Sequence, residues 1–185
     1  MLKTDGVLWH ITATLDGFVA DEEGRVDFFS GYGGPNPLAS TVVQSVGAIL
    51  TGRGSFEVGE RLGGAAYGGK ITVPTFVVSR RPAPANADPR LTFLSSQDLA
   101  AAVATARRAA GGKMVVIIGP TLAAAMFRQG LVDQLLIHIV PVLLGKGKPL
   151  FGKGGEPLPF KLIHSSQAGQ VTNLILIRQD AETPR

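Results

Sequence analysis

The chain contains no cysteine. A disulfide framework, a metal site with thiolate ligands and a cysteine nucleophile are therefore excluded. The absence is typical of cytoplasmic proteins, in which thiols stay reduced and disulfides are rare. We expect a cytoplasmic protein without a metal site.

Long apolar segments are also missing. The longest, residues 135–144, is interrupted by His138 and Pro141. It is shorter than the roughly 20 residues that a helix needs to cross a bilayer. The N-terminus lacks the basic-then-apolar pattern of a signal peptide. The sequence therefore predicts no contact with a membrane.

Two common nucleotide-binding signatures are absent. No GxGxxG pattern follows the first predicted strand, and no GxxxxGK[ST] pattern occurs in the chain. The ordinary Rossmann fingerprint and the P-loop are thereby excluded. Any nucleotide site in this protein must use other residues.

Charge is modest in total, at +4, but it is unevenly distributed. Residues 1–30 hold six acids and two bases, so residues 31–185 hold 16 bases and eight acids. A basic body suits an anionic small ligand or nucleic acid. The bases are scattered and no stripe of basic and aromatic residues occurs, so we favour the small ligand and predict no nucleic-acid partner.

Strands and helices alternate through most of the chain. Apolar runs predict strands at 7–13, 48–51, 74–79, 91–94, 113–119 and 133–144, and a closing hairpin at 160–167 and 171–178. Helices are predicted from Asn36-Pro37 to Gly47, from the 52–55 junction to about Leu62, from a Ser95/Asp98 capping box to about Ala110, and from Pro120 to Gly130. This order indicates one α/β domain over residues 1–185, with a sheet that is parallel at first and antiparallel at its C-terminal edge.

Three predicted strands end in residues that favour anions. They are followed by Gly52-Arg53-Gly54-Ser55, by Ser79-Arg80-Arg81 and by Gly119-Pro120-Thr121. Because open α/β sheets bind ligands beyond the carboxyl ends of their parallel strands, we expect these segments to share one site. Two helix N-termini and a cationic strand end suit a pyrophosphate and one further phosphate, which is the charge layout of NADP.

A fourth strand end carries Asp16, which is followed by Gly17. A half-buried carboxylate at this position could take part in proton transfer. Alternatively, Asp16 binds backbone N–H groups of a turn in which Gly17 supplies the positive φ angle. The residues alone leave both interpretations open.

Taken together and in order, these motifs resemble the dihydrofolate-reductase-like superfamily. They are residues 13–17 (ATLDG), 50–57 (LTGRGSFE), 78–80 (VSR), 118–120 (IGP), 130–133 (GLVD) and 141–151 (PVLLGKGKPLF). Within the superfamily, the chain is most similar to the reductase domain of the bifunctional riboflavin-biosynthesis deaminase-reductase. The cysteine-containing zinc signature of a deaminase is missing, so we expect a stand-alone reductase domain.

The resemblance carries expectations about architecture and activity. It implies a three-layer fold with a central mixed sheet of about eight strands and about four flanking helices. It also implies an oxidoreductase that transfers hydride from NADPH to a small heterocyclic or carbonyl substrate, often as a homodimer. Two other functions stay open: a non-catalytic or nucleotide-binding dimer of the same fold, and a true dihydrofolate reductase.

The resemblance further implies roles for individual residues. Contacts with the NADPH phosphates would come from Gly52, Arg53, Gly54 and Ser55. The adenosine 2′-phosphate would lie against Ser79 and Arg80, with help from Arg81. A cradle for the pyrophosphate would be formed by Gly119, Pro120, Thr121 and Leu122. Backbone groups at Ala13 would meet the nicotinamide amide, and Asp16 would be the catalytic residue at the hydride-transfer site.

Two positions depart from the family pattern. Gly119-Pro120 replaces a tandem glycine whose peptide bond is characteristically cis, a geometry that proline tolerates, but proline removes one N–H group from the cradle. Gly54 loosens the start of its helix. Elsewhere, we expect structural roles for Trp9, His10, His138 and His164, and we leave Lys146 and Lys148 open as ligand contacts.

Overall fold

The computed structural model of the protein describes residues 2–61, 63, 66–69, 71–152 and 158–179. Its strands are β1 (Val7–Thr14), β2 (Phe18–Ala20), β3 (Val46–Gly52), β4 (Thr75–Ser79), β5 (Leu91–Ser95), β6 (Met114–Ile118), β7 (Gln134–Val140), β8 (Lys148–Pro149), β9 (Phe160–Ala168) and β10 (Val171–Arg178). Its α-helices are α1 (Pro37–Ser45), α2 (Arg53–Arg61), α3 (Leu99–Ala110) and α4 (Pro120–Arg128), and single 3₁₀ turns occur at Asp27–Phe29 and Ala66–Gly69.

Eight of the strands form one sheet in the order β5-β4-β3-β6-β1-β7-β10-β9. All pairs from β5 to β7 are parallel, whereas β10 runs antiparallel to both β7 and β9. The predicted mixed sheet with an antiparallel C-terminal edge is therefore confirmed. The short strands β2 and β8 pair with each other in a separate antiparallel ribbon.

The sheet is covered on both faces. Trp9, Leu135 and Ile117 belong to a core on one face, together with α3 and α4 side chains such as Ala106 and Met126. Leu8, Leu136 and Val116 belong to a second core on the opposite face, where Val42 of α1 packs. Because neighbouring residues of a strand point to opposite faces, continuous apolar runs are what a central strand of this sheet requires.

Helix α1 ends earlier than the sequence predicts. Asn36 caps its N-terminus, because the Asn36 side chain accepts a hydrogen bond from the Ala39 N–H. At the other end Val46 is extended and already pairs with β6, so the prediction that Gly47 ends the helix is wrong. Gly47 lies inside β3, and the position requires glycine because a Cβ atom there would lie 2.6 Å from the carbonyl oxygen of Ala110.

Strand β7 is also shorter than predicted. It ends at Val140, and the prediction of a kinked strand to residue 144 is wrong. Pro141 has no N–H group to donate to a ladder, and the chain turns there through a bond from the Val142 N–H to the Val140 carbonyl. The segment that follows contains β8, which the sequence did not predict.

The capping of α3 differs in detail from the prediction. Asp98 itself is the N-cap and accepts a bond from the Ala101 N–H at 2.8 Å. Ser95 cannot serve as the N-cap because it pairs with Ser79 in the β4–β5 ladder, so the predicted Ser95/Asp98 box is wrong.

Parts of four predicted segments lie outside the described residues: the helix end at Leu62, the loops around 64–65 and 153–157, and the tail from 180. Within the described part of the chain, no helix is long and apolar enough to cross a membrane.

Candidate nucleotide site at the carboxyl ends of the strands

Two cavities lie side by side at the carboxyl ends of β3, β4 and β6. The first, the cationic cavity, has a volume of about 390 Å³ and is lined by Gly52, Arg53, Ser79, Arg80, Ser96 and Leu122, among others. The second, the apolar cavity, has a volume of about 680 Å³ and is lined by Ile11, Val19, Ala20, Val58, Ile118 and Pro149, among others. Gly54, Ser55, Thr121 and Ala125 line both, so the two cavities meet between α2 and α4.

The N-termini of α2 and α4 touch at this junction. Gly119, the N-cap of α4, has a φ angle of +100° and no side chain. A Cβ atom at Gly119 would collide with the hydroxyl of Ser55. The first N–H groups of a helix have no partner within it, so two positive helix ends face the same space.

Pro120 changes the donors that α4 offers. It occupies the first helical position, where its missing N–H group costs the helix nothing. Thr121 and Leu122 supply the next N–H groups at this end. The Gly119-Pro120 bond is trans, so the cis geometry that the resemblance implied is not found. The positive φ angle of Gly119, which glycine adopts readily, makes the turn from β6 into α4 instead.

Arg53 lines the cationic cavity but is already engaged. Its Nε donates to Glu57 at 2.7 Å, and its guanidinium lies 5.3 Å from the centre of the Phe93 ring. Arg81 also binds Glu57, at 3.0 Å, and its side chain is 67% exposed. Arg81 points its charge at that carboxylate and does not line the cavity. Glu57 therefore offsets part of the positive charge that the sequence placed here.

Arg80 is the more available cation. It is exposed and lines the cationic cavity, and in the described part of the chain no carboxylate pairs with it. Ser79 is buried at the end of β4 and its hydroxyl accepts a bond from the Arg81 N–H at 3.0 Å. Ser96, which the sequence reasoning missed, lines the same cavity and bonds to the Ser79 carbonyl through its N–H.

No carboxylate lines either cavity among the residues that the structure describes. The charged groups in the linings are all cations: Arg53 and Arg80 in the cationic cavity, Lys148 and Arg128 in the apolar one. Hydroxyls of Ser55, Ser79, Ser96 and Thr121 accompany them. Cations, hydroxyls and helix N-termini beside an apolar chamber suit a ligand with several phosphates and one uncharged flat group.

Beside the apolar cavity, the neighbouring strands β1 and β6 stop pairing. The ladder between β1 and β6 stops at Trp9 and Ile117, whereas β1 continues to Thr14 along β7. Ile11 and Ile118, which lie just beyond this point on the two strands, line the cavity. Ala13 lies further along β1; it is buried and does not line the cavity. Beyond Trp9, none of the described strands pairs with the side of β1 that faces β6.

Asp16 is placed as a backbone acceptor. Its carboxylate accepts bonds from the Thr14 hydroxyl at 2.6 Å, from the Leu144 N–H at 3.0 Å and from the Gly145 N–H at 2.7 Å. The Thr14 bond and then the Gly145 bond lower the pKa of Asp16 below its usual value. The residue is exposed and does not line either cavity. Of the predicted site residues, Ala13, Asp16 and Arg81 are thus the ones that the fold does not bring into the cavity walls.

On the α1 face, several polar side chains form a network that the sequence reasoning did not predict. The two histidines of β1 and β7 contact each other, His10 Nε2 to His138 Nε2, at 2.6 Å. His10 Nδ1 lies 2.8 Å from the Tyr67 hydroxyl, and His138 Nδ1 lies 2.6 Å from Asn173 Oδ1. Both histidines are packed and hydrogen-bonded within the fold, as expected, but no pattern in the sequence predicted that they would meet.

The direction of each bond in this network follows from one backbone donor. The Ala39 N–H requires the side-chain oxygen of Asn36, so the Asn36 amide nitrogen must donate to Asn173 Oδ1, at 3.0 Å. Asn173 Oδ1 is then an acceptor, and His138 must donate to it through Nδ1. Burial lowers the pKa of both imidazoles, so both are neutral at pH 7. A neutral His138 that donates through Nδ1 accepts through Nε2 from His10 Nε2, and His10 Nδ1 then accepts from the Tyr67 hydroxyl. Each imidazole is neutral and has one fixed tautomer.

Burial reinforces the neutral state of the network. Desolvation, with a smaller contribution from His138, lowers the pKa of His10 to about 3. Desolvation also lowers the pKa of His138, and it raises the pKa of Tyr67. Tyr67 has a φ angle of 56°, a conformation that costs a residue with a side chain about 1–2 kcal/mol.

The lysines that the sequence left open have different surroundings. Lys146 is exposed and pairs with Glu22 at 2.8 Å. Lys148, on β8, lines the apolar cavity. His164 is exposed on β9.

The sheet order, the four helices and the groove at the strand ends define a dihydrofolate-reductase-like fold. Dihydrofolate reductase from Enterococcus faecalis, complexed with NADP(H) and RAB-propyl, aligns over 97% of this chain and 100% of its own with a TM-score of 0.64 and 12% identity. A Shewanella sp. PV-4 protein provisionally assigned to riboflavin biosynthesis aligns over 95% of this chain and 99% of its own, with a TM-score of 0.77 and 23% identity. The predicted fold is confirmed.

The sequence then specifies the family. The RibD C-terminal domain model matches residues 6–174, so the chain belongs to the RibD C-terminal domain family. An uncharacterized protein of Bacillus subtilis (strain 168), YwjB, is 25% identical in an alignment of 178 residues that covers 91% of this chain and 95% of that protein. The resemblance drawn from the sequence motifs is confirmed at the level of the family.

Proposed function

We propose that this protein is an NADPH-dependent reductase that transfers hydride to a small heterocyclic or carbonyl substrate. The observation that carries the proposal is the junction of the cationic and apolar cavities between the N-termini of α2 and α4, with no carboxylate in the described walls. Membership of the RibD C-terminal domain family favours a reductase similar to that of the riboflavin pathway.

The residues that line the two cavities support this proposal for most of the NADPH molecule. Ser79 and Arg80 would hold the adenosine 2′-phosphate in the cationic cavity. The N-termini of α2 and α4, with Ser55 and Thr121, would hold the pyrophosphate, for which unpaired N–H groups and the helix dipoles are suited. The nicotinamide end would enter the apolar cavity beside the gap between β1 and β6. When bound, NADPH supplies the hydride.

A third cavity is our candidate for the substrate. It has a volume of about 410 Å³ and shares Ser55 and Ile118 with the apolar cavity. Phe56, Ile71 and Val73 contribute apolar walls, whereas Glu60 and the Asp88–Arg90 ion pair contribute charge of both signs. A small ring with both donors and acceptors suits such a lining.

Titration calorimetry tests the cofactor assignment. We expect the protein to bind NADPH more tightly than NADH, since Arg80 faces the position proposed for the 2′-phosphate. Arg80→Ala should weaken NADPH by about tenfold or more and leave NADH unchanged, because a charge-assisted phosphate contact is lost. Arg108→Ala, the same charge change on the exposed end of α3, is the control. Binding of neither nucleotide by the wild-type protein would rule out the proposed function.

Two features favour a second candidate, a nucleotide-binding module that does not catalyse reduction. Pro120 removes a backbone donor from the end of α4, and Gly54 loosens the start of α2. The discriminating measurement is consumption of NADPH, followed by its absorbance, with small pyrimidines, carbonyl compounds and dihydrofolate as acceptors. Tight NADPH binding with no acceptor reduced would favour the module, and methotrexate-sensitive use of dihydrofolate would favour a folate reductase.

A further inference from the structure

The carboxylate of Asp16 joins two segments that are far apart in sequence. Its Oδ1 accepts from the Thr14 hydroxyl, and its Oδ2 accepts from the N–H groups of Leu144 and Gly145. Thr14 closes β1, whereas Leu144 and Gly145 lie in the segment that leaves β7. All three donors point at one side chain, which satisfies two backbone N–H groups outside any ladder.

Two further bonds flank this contact. The Leu15 N–H donates to the Val142 carbonyl at 2.9 Å, and the Leu150 N–H donates to the Gly17 carbonyl at 2.8 Å. The segment 142–150 is therefore tied to the turn after β1 at its start, at its end and, through Asp16, between them. Asp16 is the only side chain among these ties; the others join backbone to backbone.

The segment held in this way forms a wall of the apolar cavity. It contains β8, whose Lys148 and Pro149 line the cavity. β8 pairs with β2, which contributes Val19 and Ala20 to the same wall. At Gly147 the chain passes so close to the Ala20 carbonyl that a Cβ atom would collide with it. The position of this wall therefore depends on the position of the backbone at residues 144–147.

We propose that Asp16 is a positioning residue, which seats the β2–β8 wall over the apolar cavity and does not itself exchange a proton with a substrate. The proposal rests on the proposed function, in which this cavity receives the nicotinamide end of NADPH. The geometry supports it because the carboxylate is aimed at backbone donors and not at a cavity. A lowered pKa agrees with a carboxylate that stays ionised to keep these bonds.

The test uses NADPH and adenosine 2′,5′-bisphosphate, which carries the 2′-phosphate but no nicotinamide. We expect Asp16→Ala and Asp16→Asn to weaken NADPH by about tenfold, because three bonds to a carboxylate are lost or mismatched. The bisphosphate should bind the variants as it binds the wild type, since the cationic cavity does not contact the wall. Asp5→Asn, the same chemical change at an exposed site, should alter neither ligand.

Two outcomes would overturn the proposal. If NADPH affinity is unchanged in Asp16→Asn, the wall does not depend on the carboxylate. If both ligands weaken alike, Asp16 supports the whole fold and has no special link to this cavity.

Amide hydrogen exchange of the nucleotide-free protein provides a second arm. Exchange at Leu144 and Gly145 should be faster in Asp16→Ala than in Asp5→Asn, while amides of β3 and β6 stay unchanged. Equal exchange at Leu144 and Gly145 would refute the seating role. This arm remains decisive in a protein that binds no nucleotide, so failure of the proposed function and failure of the Asp16 proposal are separable.

Discussion

The candidate nucleotide site and the histidine network hold their polar residues in opposite ways. At the strand ends, the charged groups are arginines and lysines that stay partly exposed, and Glu57 pairs with two of them. On the α1 face, His138 and Asn173 are buried and His10 is partly buried, and the three form a hydrogen-bonded network of neutral groups. The first arrangement leaves charge available to a ligand, and the second uses each donor and acceptor internally.

The difference follows from solvation. Burying an ionised group without a partner costs far more than burying a neutral group whose hydrogen bonds are made. A site for an anionic ligand must keep its cations near water until the ligand arrives. A network of neutral groups that links β1, β7 and β10 can instead exclude water, provided that each imidazole tautomer matches its hydrogen-bond partners. Four predictions test this difference, and the first should change stability the most.

Removing a side chain from the histidine network should lower the stability of the protein. We expect His138→Ala to lower the free energy of unfolding by about 3 kcal/mol, since it leaves a cavity and strands the buried groups of His10 and Asn173 without partners. NADPH affinity should stay unchanged. Urea denaturation measures the change, with His164→Ala on the exposed side of β9 as the control. Equal, small losses in the two variants would mean that the network contributes little.

Acid should act on the same network. The folded pKa of His10, about 3, lies below the ordinary value of 6.5. Between these two values the unfolded chain binds a proton at His10 and the folded chain does not. The contribution of His10 to the free energy of unfolding is therefore complete above pH 6.5 and is lost as the pH falls toward 3. Between pH 6.5 and 5 we expect a loss of about 2 kcal/mol, at up to about 1.4 kcal/mol per pH unit.

Unfolding of wild-type protein and His10→Gln at a series of pH values checks this. The variant should show a shallower decline over the same interval, because it lacks the group that titrates. Parallel curves would assign the acid sensitivity to other groups.

At the nucleotide site, a single methyl group should disturb the junction of α2 and α4. Gly119→Ala introduces a side chain at a φ angle of +100° and against Ser55. We expect a loss of about 1–2 kcal/mol in stability and about a tenfold weaker affinity for NADPH. Gly111→Ala, also at a positive φ angle but with open space around it, should lose stability and keep its NADPH affinity. If both variants bind NADPH normally, the contact with Ser55 is not part of the cradle.

The smallest effect separates stability from binding at Gly54. A Cβ atom there meets no other atom within 4 Å, so Gly54→Ala should stabilise α2 by about 0.5–1 kcal/mol. The same methyl group would enter the space shared by both cavities and should weaken NADPH. A gain in stability with unchanged affinity would show that the nucleotide does not approach this backbone. Thermal unfolding and calorimetry on one preparation measure both.

Local patterns were sufficient for most of the architecture. The alternation of apolar runs with capped helices predicted the mixed sheet, and Asn36 before Pro37 predicted the start of α1. The errors fell where tertiary contacts compete with local signals. Gly47 has the pattern of a helix end, but its glycine is needed because the Ala110 backbone passes close to it. Strand β8 is too short to produce a periodic pattern.

The candidate site was predictable in part. Glycines, hydroxyls and arginines after β3, β4 and β6 identified the strand ends, and the fold brings most of them into one pair of cavities. The sequence did not show which arginines would be left without an ion pair. Glu57 reaches Arg53 because both lie on α2, and it reaches Arg81 because of the path that the chain takes after β4. Ser96 and the β2–β8 wall left no signal of their own. The homodimer and the cytoplasmic location stay predictions, the first of which the mass of the protein in solution would test.

Spacing and side-chain chemistry along the chain were sufficient to predict the order of the main elements, the family and the residue types at each strand end. Which of those residues line a cavity and which form internal bonds depends on contacts between segments that are distant in the sequence. The tertiary structure turned Asp16 toward two backbone N–H groups 128 and 129 residues away and brought His10 within 2.6 Å of His138. The physical reason is that donors and acceptors must be satisfied in space, and the partner that is nearest in the fold is often remote in the chain.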